Sequence, residues 1–259
     1  MDILKLHAVT KKFGGIVACN DVSFTITAGH IMGLIGPNGA GKTTMFNLIT
    51  GVYTPTSGNI LFQGEDITGT RPDQVVDKGI ARTFQNIRLF RNLSVLDNVC
   101  IAVDRQVKYS LGAALLRLPR ILRKEQEIRR QAMEYLAAVG LEDKAAVRAD
   151  SLPYGLQRKL EIARALALQP QLLLLDEPAA GMNPEESLDL AKLIRTVHDR
   201  YKLTTLLIEH HMDVVMELCD QIFVLNFGEK LAEGTADSIQ TNTDVLRAYL
   251  GEGYKRVEN

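Results

Sequence analysis

The sequence predicts an α/β fold in which helices pack on a mainly parallel sheet. Short apolar runs alternate with amphipathic helical stretches in the second half of the chain, as in proteins whose parallel strands are joined by helices. A glycine-rich loop connects a buried strand to a helix near the amino terminus. A helix-rich block, about residues 86–160, interrupts this alternation, and we expect it to form a helical subdomain inserted into the core.

The composition excludes several classes of protein. The chain has 259 residues, 46% of them hydrophobic and 24% charged, so it can bury a core and is too apolar to be disordered. A formal net charge of −1 argues against a nucleic-acid partner. Cys19, Cys100 and Cys219 are too far apart for a zinc module and fit a reducing compartment. Because we find neither a secretory signal nor an apolar span, we expect a cytosolic chain that reaches a membrane only through a partner.

The first third of the chain is expected to contain strands and one helix. An apolar run leads directly into the glycine-rich loop, and a helix at 43–50 follows and ends at Gly51. Turn residues at 54–58 precede another short strand. The expected strands are residues 3–9, 22–26, 30–36, 59–62 and 80–84.

Helices and buried strands are expected in the rest of the chain. Residues 95–141 have a helical composition, and SLPYG at 151–155 ends this region before another helix. The continuous apolar run at 172–175 is typical of a strand buried on both faces. Further strands are expected at 204–208 and 221–225, with helices at 185–201 and 212–218. We treat residues 1–259 as a single domain.

Residues 36–43, GPNGAGKT, match the pattern GxxxxGK[ST] of loops that bind nucleoside triphosphates. Three glycines allow backbone N–H groups to point at the phosphates, and the following helix presents its positive end. Lys42 can reach the β- and γ-phosphates, the Thr43 hydroxyl is placed to ligate Mg²⁺, and Thr44 can add a phosphate contact. We define the phosphate loop as Gly36, Pro37, Asn38, Gly39, Ala40, Gly41, Lys42, Thr43 and Thr44.

Two carboxylates follow the buried strand at 172–175. Asp176 lies at the carboxyl end of that strand, where it can hold the hydration shell of Mg²⁺. Glu177 is expected on the γ-phosphate side, where it can act as general base on an attacking water. The alternative is a strand end with solvated acids, and the upstream phosphate loop argues against it.

Three short motifs add candidate site residues. Gln85 follows the strand expected at 80–84, where it can contact both Mg²⁺ and the attacking water, unless it is an ordinary loop glutamine. Gly155 lies where a helix begins, and such a helix end is a second anion site that can serve a partner's nucleotide. His210 follows a strand and can donate a hydrogen bond to a γ-phosphate. The pair His210-His211 lacks the spacing of a metal site.

Taken together, these motifs resemble those of the ATP-binding subunit of an ABC transporter, over essentially the whole chain. The resemblance implies a P-loop NTPase core with an antiparallel β subdomain and an inserted α-helical signature subdomain. It implies ATP hydrolysis with Mg²⁺, in which Glu177, His210 and Gln85 are catalytic and Phe13 stacks on adenine, although a core position is the alternative for Phe13. The corresponding family motifs are Walker A at 36–43, the Q-loop at Gln85, the signature at 152–157 including Gly155 and Gln157, Walker B at 172–177, the D-loop at 180–183 and the switch histidine at His210.

Within that family the chain resembles one of the two ATPase subunits of branched-chain amino acid importers. The stretches that carry this similarity are RTFQNIRLF at 82–90, LEIAR at 160–164, EPAAGMNP at 177–184 and DVLRAYL at 244–250. The resemblance implies a second ATPase subunit in a head-to-tail dimer, two integral membrane permease subunits, and a periplasmic binding protein that delivers leucine, isoleucine or valine. It places the chain at the cytoplasmic face of the inner membrane.

The signature segment departs from the family sequence LSGGQ. Pro153 replaces Ser, Tyr154 replaces the first Gly and Leu156 replaces Gln. Because Pro153 has neither a hydroxyl nor an N–H, two potential γ-phosphate donors are missing. Asn183 stands in place of the D-loop acid, and His211 stands where an acid often follows the switch histidine. We therefore expect a weaker composite site at this signature, which a heterodimer tolerates better than a homodimer.

Two other functions are open at this point. ATPase subunits of lipid or lipopolysaccharide exporters are close relatives within the same family. A soluble ABC ATPase that acts on nucleic acid is a weaker alternative, because the chain has one cassette, no cysteine pairs and no basic surplus.

Residues 105–130 concentrate positive charge, with eight Lys or Arg against two Glu, and also carry an amphipathic pattern of Leu and Ile. One interpretation is a solvated helix whose apolar side packs on its own subdomain. The other places its positive side near anionic lipid headgroups, where each Lys or Arg contributes about 1 kcal/mol. The segment is then expected to face a membrane or a partner.

Overall fold

The computed structural model describes residues 1–105 and 119–250, except for the side chains of 119–122 and 250. The chain divides into two compact units. The first comprises Met1–Arg82 and Gln171–Asn259, and the second comprises Thr83–Pro170. The stretch expected to form the helical subdomain, about 86–160, falls within the residue range of the second unit. Half of the basic segment at 105–130, residues 106–118, lies outside the described residues.

Helices occur in both units. In chain order, those of the described residues are α1 (Lys42–Ile49), α2 (Pro72–Asp77), α3 (Val95–Arg105), α4 (Pro119–Ala138), α5 (Tyr154–Leu166), α6 (Pro184–Tyr201), α7 (Met212–Leu218), α8 (Ala236–Gln240) and α9 (Thr243–Leu250). Within the described residues, no helix is both long enough and apolar enough to cross a membrane.

The first unit contains a four-stranded antiparallel sheet with the order β2-β1-β4-β5. Its strands are β1 (Asp2–Phe13), β2 (Ile16–Thr27), β4 (Ser57–Phe62) and β5 (Glu65–Asp66). The first two are longer than the expected 3–9 and 22–26, because the turn Gly14-Gly15 folds them into one hairpin in which Phe13 faces Ile16. This sheet is the antiparallel β subdomain that the family resemblance implies.

The same unit contains a six-stranded, mainly parallel sheet with the order β10-β9-β3-β8-β7-β6. Its strands are β3 (Ile31–Ile35), β6 (Ile80–Arg82), β7 (Leu172–Asp176), β8 (Thr204–Ile208), β9 (Gln221–Asn226) and β10 (Glu229–Gly234). Every residue of β3, β7 and β8 is buried, as their continuous apolar sequences predict. The α/β fold class is confirmed, and β10 is an antiparallel edge strand that the sequence patterns did not predict.

The second unit packs its described helices around buried apolar side chains, among them Val99 on α3, Leu136 on α4 and Leu160 on α5. At the described end of the basic segment, Arg130 forms ion pairs with Glu127 and Glu134 on the same helix. These pairs neutralise part of the charge that the sequence concentrates there.

The strand expected at 80–84 is two residues shorter than predicted. It ends at Arg82, and the backbone N–H of Phe84 donates to Oε1 of Glu161 at 3.2 Å. Because that N–H has a side-chain acceptor in the helical unit, the chain leaves the sheet before Gln85. The glutamine therefore belongs to the second unit and does not directly follow a strand.

Candidate functional site

Three central strands deliver functional residues to one edge of the parallel sheet. The phosphate loop follows β3, Asp176 ends β7, and His210 lies two residues after β8. Because β3, β8 and β7 are parallel neighbours, their carboxyl ends lie at the same edge. The first unit thus brings together the phosphate loop, Asp176, Glu177 and His210.

Two glycines of the phosphate loop are required by the backbone. Gly36 has φ of 151°, and a Cβ atom there would lie 2.0 Å from the carbonyl oxygen of Leu225. Gly41 has φ of 103°, caps the N-terminus of α1, and would place a Cβ atom 2.6 Å from the oxygen of Ala18. Both positions favour glycine, since other residues rarely adopt positive φ and no space exists for their side chains.

Lys42 is buried within its own loop. Its Nζ donates to the carbonyl oxygens of Gly36 at 2.6 Å and of Pro37 at 3.0 Å. Burial lowers the pKa of the Lys42 ammonium, and the negative charge of Glu177 opposes that shift. The structure thus holds a cation in the loop, within the electrostatic reach of the proposed general base.

Glu177 and His210 are in direct contact. The Oε1 atom of Glu177 lies 2.6 Å from Nε2 of His210, and the side chain of Glu177 is 13% exposed. The backbone N–H of Glu177 donates to the carbonyl of Ile208, which ties the end of β7 to the end of β8. Glu177 has φ of 48°, an uncommon conformation for a residue with a side chain and one that often occurs at functional sites.

Glu209 connects the segment after β7, which begins with Glu177, to the segment after β8, which contains His210. Its Oε1 accepts from the backbone N–H of Ala179 at 2.7 Å, and its Oε2 accepts from the N–H of His210 at 2.9 Å and of His211 at 3.3 Å. The carboxylate is nearly fully buried. It therefore fixes the backbone that follows Glu177 relative to the backbone of His210.

Asp176 forms a buried ion pair with Arg82. The Nη2 atom of Arg82 donates to Oδ2 of Asp176 at 2.7 Å, and both side chains are more than nine-tenths buried. The Nη1 atom of Arg82 donates to Oδ1 of Asn47 on α1 at 2.7 Å. Arg82 thus connects the carboxylate at the end of β7 to the helix that follows the phosphate loop.

The sequence motifs assigned no role to Arg82 or Glu209. Arg82 ends the short strand β6, and Glu209 directly follows the buried strand β8. This placement is the signal that could have identified them, because a charged side chain at the end of a buried strand must be paired when the fold buries it.

The residues of the phosphate loop and its surroundings fit a nucleotide with Mg²⁺. The loop offers backbone N–H groups at the positive end of α1, positions free of Cβ atoms, and a buried ammonium. Thr43 is exposed, and its hydroxyl and the Asp176 carboxylate are oxygen groups of the kind that Mg²⁺ prefers. Among the loop residues, Thr44 and Pro37 are half-buried, Asn38 and Gly39 are exposed and Ala40 is buried.

Phe13 occupies a surface position at the end of β1 and is 41% exposed. Its ring meets Tyr53 edge-on with the centroids 5.1 Å apart, and Nζ of Lys11 lies 4.9 Å from its centroid. Phe13 is therefore not a core residue, and an exposed aromatic face of this kind can stack on a base.

The other predicted site residues belong to the second unit. Gln85 is exposed, whereas Gly155 and Gln157 are half-buried in the first turn of α5. The side-chain amide of Gln157 donates to the carbonyl of Leu152 at 2.8 Å. Pro153 is the N-cap residue of α5 and forms no side-chain capping hydrogen bond. This agrees with the sequence analysis, since a proline has no hydroxyl that could form one.

Comparison with known proteins gives a consistent result. Residues 19–180 match the family model of the ABC transporter, and residues 229–255 match that of the branched-chain amino acid ATP-binding cassette transporter. The chain is 44% identical over 250 residues to the high-affinity branched-chain amino acid transport ATP-binding protein LivG of Escherichia coli, a match that covers 96% of this chain and 98% of LivG. The chain belongs to the ABC transporter family.

Other members of the ABC transporter family agree with this assignment. BraF of Pseudomonas aeruginosa, also a high-affinity branched-chain amino acid transport ATP-binding protein, is 44% identical with the same coverage of 96% and 98%. A solved ATP-binding cassette of an ABC transporter in its ADP conformation has a TM-score of 0.84 and 31% identity, covering 97% of this chain and all of that one. The chain is accordingly an ATPase subunit of a membrane transporter complex.

Proposed function

We propose that the chain is the ATP-hydrolysing subunit of an importer for the branched-chain amino acids leucine, isoleucine and valine. The observation that carries the hydrolytic part is the 2.6 Å contact between Glu177 and His210 at the sheet edge of the phosphate loop. The similarity to LivG and BraF supports the choice of substrate. Residues 1–259 then act as one ATP-binding domain, with about 86–160 as its helical subdomain.

Nucleotide binding is assigned to the phosphate loop and its neighbours. Backbone N–H groups and Lys42 bind the β- and γ-phosphates, and Phe13 stacks on adenine. Thr43, Asp176 and Gln85 hold Mg²⁺, which reduces the negative charge of the phosphates when it is bound.

Hydrolysis is assigned to Glu177 as general base, which accepts a proton from the attacking water. With its proton on Nε2, His210 donates to Glu177 in the structure, and the γ-phosphate is a competing acceptor for the same N–H. Binding of ATP then releases the Glu177 carboxylate to contact water. The contact thus provides a physical reason why the base becomes active only when a γ-phosphate is present.

The partners are inferred from the family resemblance, and the missing donors of the signature segment support a second ATPase subunit that differs from this one. ATP closes a head-to-tail dimer in which Gly155 and Gln157 of one subunit meet the nucleotide of the other. Because Pro153 offers neither hydroxyl nor N–H, we assign a second, different ATPase subunit rather than a second copy of this chain. Two permease subunits hold the pair at the cytoplasmic face of the inner membrane, and a periplasmic binding protein delivers the amino acid.

Reconstitution tests this proposal. The chain is assembled in proteoliposomes with the second ATPase and both permease subunits, and uptake of radiolabelled leucine is measured with the binding protein present. We expect ATP-dependent uptake that isoleucine and valine inhibit and that Lys42→Ala abolishes, whereas the exposed Glu217→Gln control retains it. Hydrolysis without uptake of any of the three amino acids would contradict the substrate, and absence of hydrolysis would contradict the enzymatic role.

A further inference from the structure

One buried guanidinium in the second unit connects the signature segment to the backbone of Gln85. Arg158, on α5, has a side chain only 2% exposed. Its Nη1 donates to the carbonyl of Phe84 at 2.7 Å and to Oε2 of Glu161 at 3.0 Å. Its Nη2 donates to the carbonyl of Gln85 and to the hydroxyl oxygen of Tyr154 at 2.9 Å. A single side chain therefore contacts both motifs.

Glu161 strengthens this arrangement from the other side. Its Oε1 accepts from the N–H of Phe84, while its Oε2 accepts from Arg158. Burial raises the pKa of the Glu161 carboxyl, and the Phe84 N–H and the charge of Arg158 oppose that shift. The N–H and the carbonyl of Phe84 are thus both held by one buried ion pair, which leaves the next residue, Gln85, little freedom.

Tyr154 is the exposed end of the cluster. It is the first residue of α5, it is 44% exposed, and its ring centroid lies 5.4 Å from the guanidinium carbon of Arg158. The Nη2 atom divides its donors between the Tyr154 hydroxyl and the Gln85 carbonyl. A displacement of Tyr154 consequently changes the hydrogen bonding of the nitrogen that holds Gln85.

We propose that Tyr154 and Arg158 are positioning residues that fix the backbone of Gln85, and that a nucleotide of the partner subunit at the N-terminus of α5 influences hydrolysis through them. The proposal rests on the proposed function in one respect, namely that Gln85 serves the ATP of its own chain. Tyr154 replaces a glycine of the usual signature, and in this proposal its hydroxyl helps to position the backbone of Gln85 through Arg158.

Tyr154→Phe tests the proposal, since it removes the hydroxyl and keeps the ring. The matched control is Tyr135→Phe, which removes a hydroxyl that contacts Gln169 in the same unit. Hydrogen exchange of the amides of residues 83–88 reports the position of the backbone directly. Steady-state kinetics of the assembled ATPase pair separate kcat from KM for ATP.

For Tyr154→Phe we expect amide exchange at 83–88 to increase at least about five-fold. We expect kcat to fall roughly ten-fold, because the variant loses a hydrogen bond to a charged group. KM for ATP should stay within about two-fold, because the phosphate loop is untouched. Tyr135→Phe should change neither exchange at 83–88 nor kcat.

Unchanged exchange at 83–88 in Tyr154→Phe would overturn the positioning role, and so would faster exchange with unchanged kcat. Loss of folding in both tyrosine variants is checked by thermal unfolding, and Arg158→Lys then provides a second variant that keeps the charge but cannot reach four acceptors. A wild-type pair that does not hydrolyse ATP would refute the proposed function, whereas the exchange measurement would still decide the positioning role.

Discussion

The Nε2 atom of His210 lies 2.6 Å from Oε1 of Glu177, so the residue assigned to the γ-phosphate and the residue assigned to the water share one hydrogen bond. The two side chains come from neighbouring strands, and the backbone bond from Glu177 N–H to the Ile208 carbonyl fixes their spacing. Because a single Nε2–H cannot serve two acceptors equally well, the proposed function implies that the pair couples the presence of a γ-phosphate to the freedom of the base.

Glu177→Gln should nearly abolish turnover while ATP still binds. A positioned general base contributes roughly 10²–10⁴-fold, and the amide keeps the size of the side chain but accepts no proton. The same variant should accumulate an ATP-bound dimer, which size-exclusion chromatography with light scattering detects. The exposed Glu217→Gln is the control, and near-wild-type turnover of Glu177→Gln would refute the assignment.

His210→Ala should lower kcat by roughly 10²-fold and leave the affinity for ATP within about two-fold, because it removes a donor to the γ-phosphate without touching the phosphate loop. The neighbouring His211→Ala is a matched control, since its ring contacts Glu209 at 3.2 Å and is half-exposed. Single-turnover kinetics separate the chemical step from product release. Equal losses in the two variants would contradict the distinct role of His210.

Lys42→Ala should weaken ATP binding about 10- to 100-fold, the range expected for charge-assisted hydrogen bonds to phosphate. Calorimetry measures this loss, and the exposed Lys192→Ala serves as control. An unchanged affinity would contradict the loop assignment.

The affinity for ATP should also decrease at alkaline pH, because Lys42 loses its proton there. Burial keeps the pKa of Lys42 below the usual value of 10.5, so the ammonium loses its proton at a lower pH than an ordinary lysine. The neutral amine attracts phosphate less, and affinity should therefore fall as the pH rises through that lowered pKa. In Lys42→Ala this part of the pH profile should be flat.

Arg82→Gln should destabilise the protein by about 3–5 kcal/mol, the cost of leaving one partner of a buried ion pair alone. Arg71→Gln removes an arginine from an ion pair with Asp73 in which both side chains are more than half exposed, so it should change stability by less than about 1 kcal/mol. Urea unfolding of the two variants gives the comparison. Similar free energies of unfolding would show that the Arg82–Asp176 pair is not a structural link.

Sequence patterns predicted the features that depend on local chemistry. The apolar run before Asp176 and the run before the phosphate loop are buried strands, because a strand covered on both faces needs no polar residue. The positive φ of Gly36 and Gly41 agrees with the glycines that the motif requires.

Features that depend on distant partners were missed. The strand at 80–84 was predicted too long because Glu161, 77 residues away, provides the acceptor for the Phe84 N–H. The edge strand β10, EKLAEG, has too few apolar residues to be recognised and is held by its pairing with β9. Arg82 and Glu209 make their distant contacts only when the strands are adjacent, since no short motif contains both Arg82 and Asp176 or both Glu209 and Ala179.

The buried carboxylate of Glu209 also constrains how this protein can be altered. It accepts hydrogen bonds from the backbone of a segment after β7 and from that of another after β8, so the backbone path of each segment must match the glutamate that joins them. A replacement for residues 208–211 that lacks this glutamate leaves the Ala179 N–H without its acceptor, and a replacement for 177–183 with a different backbone path moves that N–H away from Glu209. Grafting experiments should therefore move both segments together, as one transplantable unit.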